Sequence, residues 1–108
     1  MLAGFEVTRT DDIPQQPVAE GIALTMLREG TGNSDLSAMV VEFAPGAEFG
    51  METHEKPEVL YVLEGEFHDG ERAHPAGTLI TAKEGSVHWP ASKIGCRVLV
   101  LYPNGATK

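Results

Sequence analysis

The twenty residues GAEFGMETHEKPEVLYVLEG, Gly46 to Gly65, decide how the chain is read. Between the two glycines lie Glu52 and His54 at i and i+2, then Pro57, then Glu58 at the head of the apolar run Val59 to Leu63. Successive side chains on a strand alternate faces, so Glu52 and His54 project to one side. Glu58 shares their parity, and Pro57 marks a bend rather than a central ladder position. If Val59 to Leu63 runs back antiparallel beside a strand at Met51 to Glu55, Glu58 returns to the same pocket. Leu60 and Val62 then give that pocket an apolar wall, while Tyr61 and Leu63 face elsewhere.

On either side of this stretch the chain is a succession of short, β-branched or aromatic runs closed by turn residues. Ile22 to Arg28, Leu36 to Phe43, Glu66 to His68, Thr78 to Ala82, Ser86 to Trp89 and Arg97 to Tyr102 read as further strands. Thr31 to Ser34, Pro45-Gly46, Gly65, Asp69-Gly70, Gly77, Glu84-Gly85 and Gly95 punctuate them. Residues 1–20 are polar, carry Pro14 and Pro17, and read as an arm with one short strand around Phe5 to Thr8. Residues 21–108 form the rest, an all-β, single-domain antiparallel sandwich or barrel with no room for a long helix.

The bulk properties narrow the function. At 108 residues the chain suits one compact core. Its 12 glycines and 7 prolines favour turns over helices. A net charge of −8 without a Lys/Arg cluster makes nucleic acid and anionic membrane poor partners. One cysteine, Cys96, can form neither an internal disulfide nor a thiolate zinc cage, and it reads as a small buried hydrophobe. The start of the chain lacks a secretory pattern and no apolar run is long enough to cross a bilayer, so a cytoplasmic protein is expected.

The chemistry-bearing residues are Glu52, His54, Glu58 and, from a distant strand, His88. Imidazole and carboxylate together suit a divalent transition ion, Fe, Mn, Zn or Ni among them. Trp89, next to His88, faces away from the pocket and reads as packing; Met26, Met39 and Met51 read as core filling or pocket lining. His68 and His74, in HDGERAH, read as solvated. No nucleophilic triad and no phosphate loop is legible.

Here the sequence resembles a known family. Gly46-x5-Glu52-x-His54-x3-Glu58-x6-Gly65 fits the spacing of the first cupin motif, with Glu in place of its first His. Gly77-x5-Lys83-x-Gly85-x2-His88-x3-Ser92 fits the second, with Lys for Pro and Ser for Asn. AMVVEFAPGAEF, VLYVLEGEF, HPAGTLI and GCRVLV look like the cupin domain of ChrR-type anti-sigma factors and like acetylacetone dioxygenase-like cupins. The resemblance implies a small jelly-roll barrel with an interior divalent metal held by His54, Glu58 and His88. Glu52 stands where a His ligand is missing. It either takes that ligand's place or turns to solvent, leaving three ligands or a vestigial site. The resemblance also implies a small oxygen-bearing, diketone-like substrate for an enzyme, or a small ligand for a non-catalytic sensing module. ChrR-type proteins carry a zinc-binding anti-sigma domain ahead of the cupin; here about twenty residues precede the barrel, so a sigma-factor partner is not implied. Cupins often dimerise through such arms. A homodimer is therefore expected, with Phe5, Val7 and Ile13 anchoring the arm on a second subunit's sheet edge.

Overall fold

A computed structural model describes residues 2–31 and 35–105. The expected turn at Thr31 to Ser34 falls largely on residues 32–34, outside the described residues. Every strand pairing is antiparallel. β1 (Gln16–Ala19), β2 (Ile22–Arg28), β3 (Ser37–Phe43), β11 (Cys96–Tyr102), β6 (Glu58–His68), β10 (Ala91–Ser92) and β4 (Ala47–Glu48) follow one another across a curled sheet. β7 (Ala73–Pro75) and β8 (Leu79–Ala82) also pair with β6. β5 (Glu52–Thr53) and β9 (Val87–His88) make a separate two-stranded ribbon. The result is the expected all-β jelly-roll barrel, with one short 3₁₀ turn, Thr10–Asp12, as the helical element among the described residues.

The sheet curls because β6 belongs to both walls. Its first half pairs with β8 and β11, and its last residues pair with β7 and β10. Between the halves the register against β11 slips by one residue, since Arg97 faces Glu64 but Val98 faces Val62. Such a bulge bends a strand and raises its twist. Gly65 sits at this bend with φ 74°, and a Cβ there would lie 2.0 Å from the Gly95 carbonyl oxygen, so only glycine fits. The sequence reading ended a strand at Gly65; instead the chain bends there and continues.

Alternation along β2, β3, β6 and β11 points Ile22, Met39, Phe43, Leu60, Val62, Val98 and Val100 inward to the core, closed at one end by Phe67. Phe43 and Phe67 meet edge to face, their centroids 6.0 Å apart. Cys96 is buried in this core, as expected.

Three expectations about the periphery are corrected. Phe5 to Thr8 is not a strand; the strand in the arm is β1, with Pro17 on the sheet edge where its missing N–H costs least. Val59 to Leu63 does not run beside Met51 to Glu55: β5 pairs with β9. Met51 is 62% exposed and fills neither the core nor the pocket, while Trp89, 52% exposed, faces away from the pocket as expected. Glu52 faces His88 in the ribbon register, which turns the flanking Met51 and Trp89 to its other face.

Candidate metal centre

Four side chains converge at the inner face of the barrel, each delivered by a different local device. Glu52 and His88 are direct cross-strand partners on the β5–β9 ribbon. His54, one residue beyond β5, is fixed by its own N–H to the Ser86 carbonyl (2.9 Å) and by the Gly85 N–H to its carbonyl (2.7 Å). The chain bends at Glu55 and Lys56, just ahead of the Pro57 where the bend was expected, and Glu58 then opens β6 with its side chain buried. Glu52, His54 and Glu58 meet on one face with His88, and the strand that closes the pocket is β9.

The donor atoms crowd one point. His54 Nε2 lies 2.8 Å from His88 Nε2, 3.0 Å from Glu58 Oε1 and 3.5 Å from Glu52 Oε1. His88 Nε2 lies 2.9 Å from Glu52 Oε1. One ligand atom from each residue lies within 4.8 Å of all the others. Donors held about 2.1 Å from a common transition ion stand roughly 3 to 4.2 Å apart, so the spacing suits a single ion.

The residues fit a cation for a further reason. His54 and Glu58 are each 4% exposed, and Glu58 Oε1 is buried without a hydrogen-bond partner. A buried carboxylate oxygen left in that condition is costly unless a positive charge meets it. Burial accordingly raises the Glu58 carboxyl to about 7, against the pull of the Tyr102 hydroxyl; the Glu52 charge adds to the rise and His88 opposes it. Burial also holds His54 below the usual imidazole range, and His88 adds to that, while Glu52 works the other way. Without an ion, both residues are driven towards their neutral forms. The donor set of two imidazoles and two carboxylates, the second group more hydrated at 32% exposure of Glu52, is one a divalent cation would neutralise.

Beside the cluster lies a cavity of about 180 Å³. Its walls are aliphatic and aromatic, from Ile22, Leu24, Met39, Val41, Leu60 and Val100, and Val18 and Phe49 also line it. Its polar groups are Glu52, Glu58, His88 and Tyr102. Leu60 lines it as expected, whereas Val62 is wholly buried in the core.

The other histidines stay apart from this cluster. His74 is not solvated as expected: it is half-buried, with Nε2 2.7 Å from Asp69 Oδ2. His68 Nδ1 accepts a bond from the Gly70 N–H. His68 ends β6 and His74 lies in β7, on either side of the turn that links the two strands. The residue missed by sequence reasoning is Tyr102. Its signal was the inward parity of Val98, Val100 and Tyr102, an apolar strand ending in a phenol.

Comparison with known proteins agrees with this architecture. The ChrR cupin-like domain family matches residues 4–104. A search of the curated proteins finds no match. Among solved structures, KdgF from Halomonas sp. superposes with a TM-score of 0.80 and 24% identity, covering 95% of this chain and 96% of that one. An acetylacetone dioxygenase from Acinetobacter johnsonii gives 0.79 and 15%, covering 94% and 75%. A chain of the Rhodobacter sphaeroides complex of SigE with the anti-sigma ChrR gives 0.74 and 22%, covering 87% of this chain and 50% of that one. At these identities the likeness is one of fold. No helix among the described residues is long and apolar enough to cross a membrane.

Proposed function

Because the chain belongs to the ChrR cupin-like family, we propose that it is a metal-binding cupin in which Glu52, His54, Glu58 and His88 hold one divalent transition ion beside a pocket for a small oxygen-bearing molecule. The observation that carries this reading is the buried, unbonded Oε1 of Glu58 at the centre of four convergent donors. Two carboxylates balance the charge of a divalent ion, and they favour the harder ions Mn and Fe over Zn and Ni.

An ion bound there would supply Lewis-acid polarisation of a substrate oxygen or activation of dioxygen. The chain supplies the rest. Its apolar walls exclude water and accept the carbon skeleton of the ligand, while Glu52, Glu58, His88 and Tyr102 set the polar end. We read the protein as a dioxygenase-like enzyme on a compact, diketone-like substrate, supported by the cavity size and by the fold likeness to an acetylacetone dioxygenase. The family match to ChrR supports a second reading, a non-catalytic module that binds a metal or small ligand as a sensor. Dioxygen consumption by metal-loaded protein across a panel of diketones and phenolic ketones separates the two. Turnover supports the enzyme; silence across the panel with tight binding of one compound supports the sensor.

The reading includes a cytoplasmic homodimer, with residues 1–20 as an arm of the barrel spanning residues 21–108. Leu2, Phe5 and Val7 of the arm are exposed, as are Tyr61, Leu63 and Leu79 on the outer face of the sheet. Docking of one copy's arm on the other copy buries apolar groups on both sides. Light scattering at micromolar concentration should give a dimer, and removal of residues 1–12 should give a monomer; a full-length monomer would end this part of the reading.

A further inference from the structure

β6 and β11 run antiparallel with Val59 facing Leu101 and Leu60 facing Val100. Extending that register by one residue sets Glu58, the first residue of β6, opposite Tyr102, the last of β11. Strand alternation turns both inward, in step with Leu60 and Val100, and both line the cavity. The Tyr102 hydroxyl is thereby brought towards the Glu58 carboxyl, whose pKa it draws down. Oε1 of Glu58 has no hydrogen bond and stands 3.0 Å from His54 Nε2 among the converging donors.

We propose that Tyr102 is a positioning residue of the metal centre, its hydroxyl engaging one oxygen of Glu58 so that the carboxylate offers a single oxygen, Oε1, to the ion. The proposal rests on the metal-site reading above. A carboxylate at the head of a strand can rotate about its terminal bond and present either oxygen or both. A phenol donor fixed across the strand pair removes that freedom. Groups that orient a metal ligand in this way contribute about 10- to 100-fold to metal affinity when they are removed and restored. The ring of Tyr102 also occupies the cavity wall, so the hydroxyl and the ring have separable roles: Tyr102→Phe deletes the first and keeps the second.

The test compares chelator-stripped wild type, Tyr102→Phe and Tyr61→Phe by titration with Mn(II), read by the fraction of free ion and by the electron paramagnetic resonance spectrum of the bound ion. Tyr61 lies on the outer face and serves as the control for loss of a phenol. We expect Tyr102→Phe to melt within a few degrees of wild type without metal, to bind Mn(II) about 10- to 100-fold more weakly, and to give a changed spectrum as both oxygens of Glu58 become available. Tyr61→Phe should match wild type in affinity and spectrum. A lowered metal-free melting temperature with wild-type affinity and spectrum would assign Tyr102 a packing role and overturn the proposal alone. A wild-type chain that takes up no Mn(II), Fe(II), Zn(II) or Ni(II) would overturn the metal-site reading and this proposal with it.

Discussion

Among the described residues two groupings join imidazole to carboxylate, and they stand in opposite electrostatic condition. At the turn between β6 and β7, Asp69 Oδ1 accepts the N–H groups of Glu71 and Arg72 at 2.8 and 2.9 Å, and Oδ2 meets His74. Burial there works to raise the Asp69 carboxyl, but the His74 bond and the two N–H donors outweigh it and hold the group far below the usual carboxylate range. At the inner cluster, burial wins. Glu58 is pushed up, and its Oε1 has no hydrogen bond. A carboxylate whose needs the protein meets is a structural element. One that the protein buries and leaves unmet is the mark of a site awaiting a cation.

The pH dependence of the metal-free protein sharpens this contrast most. Glu58 in the native state titrates near 7, above its unfolded value of 4.5, so the native state holds the extra proton between those limits. The contribution of Glu58 to stability therefore falls as pH rises from about 5 to 7, by on the order of 3 kcal/mol. Asp69 has the opposite sign: its contribution is present above the unfolded value of 3.8 and is lost as pH falls below it. Burial of His54 acts oppositely, adding stability as pH rises towards 6.5, so the Glu58 contribution is read by difference: chemical denaturation of chelator-treated wild type and Glu58→Gln should show the wild type losing stability relative to the variant between about pH 5 and 7. Metal uptake should run the other way and weaken as Glu58 gains its proton.

Ligand removal comes next in size. An ion at a hundredfold over Kd contributes about 2.7 kcal/mol to stability. His54→Ala and His88→Ala should each abolish that chelator-sensitive shift in melting, and His74→Ala should leave it whole. Asp69→Ala should cost about 1–3 kcal/mol by stranding the donors of its turn, with metal affinity unchanged. A loss of metal binding in Asp69→Ala would break the division between the two groupings. The smallest change is one of selectivity. Glu52→His should preserve the fold and one bound ion, raise the charge of the site by one unit and move preference from Mn or Fe towards Zn or Ni, as competition titrations would report.

Much of this site is legible in the sequence because a strand converts spacing into direction. Glu52, His54 and Glu58 share parity, and two glycine-bounded motifs place His88 in the same pocket. What fails is pairing between segments, which local sequence does not encode. Nothing near Glu52 says that its partner strand carries His88 rather than Glu58. Gly65 looks like a terminator because glycine serves stops and bulges alike, and only the Gly95 carbonyl pressed against it distinguishes the two. Pro17 argues against a strand in the arm until the strand is seen on an edge. Parity next to His88 turns Trp89 away from the pocket in the sequence as in the structure, whereas the hydrophobicity of Met51 suggests core or pocket lining and the ribbon that turns Glu52 inward turns it outward. Tyr102 lies 44 residues beyond Glu58 in the chain, and only the β6–β11 register brings them together.

The central claim, that Glu52, His54, Glu58 and His88 form a site for one divalent ion, is tested most directly by elemental analysis. The protein should be purified without a metal-affinity tag and analysed before and after reconstitution with Mn(II) and Fe(II), beside His54→Ala and His88→Ala. The account predicts close to one equivalent of a transition ion in the wild type and loss of that ion in both variants. Less than about a tenth of an equivalent in the wild type after reconstitution, or retention of a full equivalent in both variants, would contradict it.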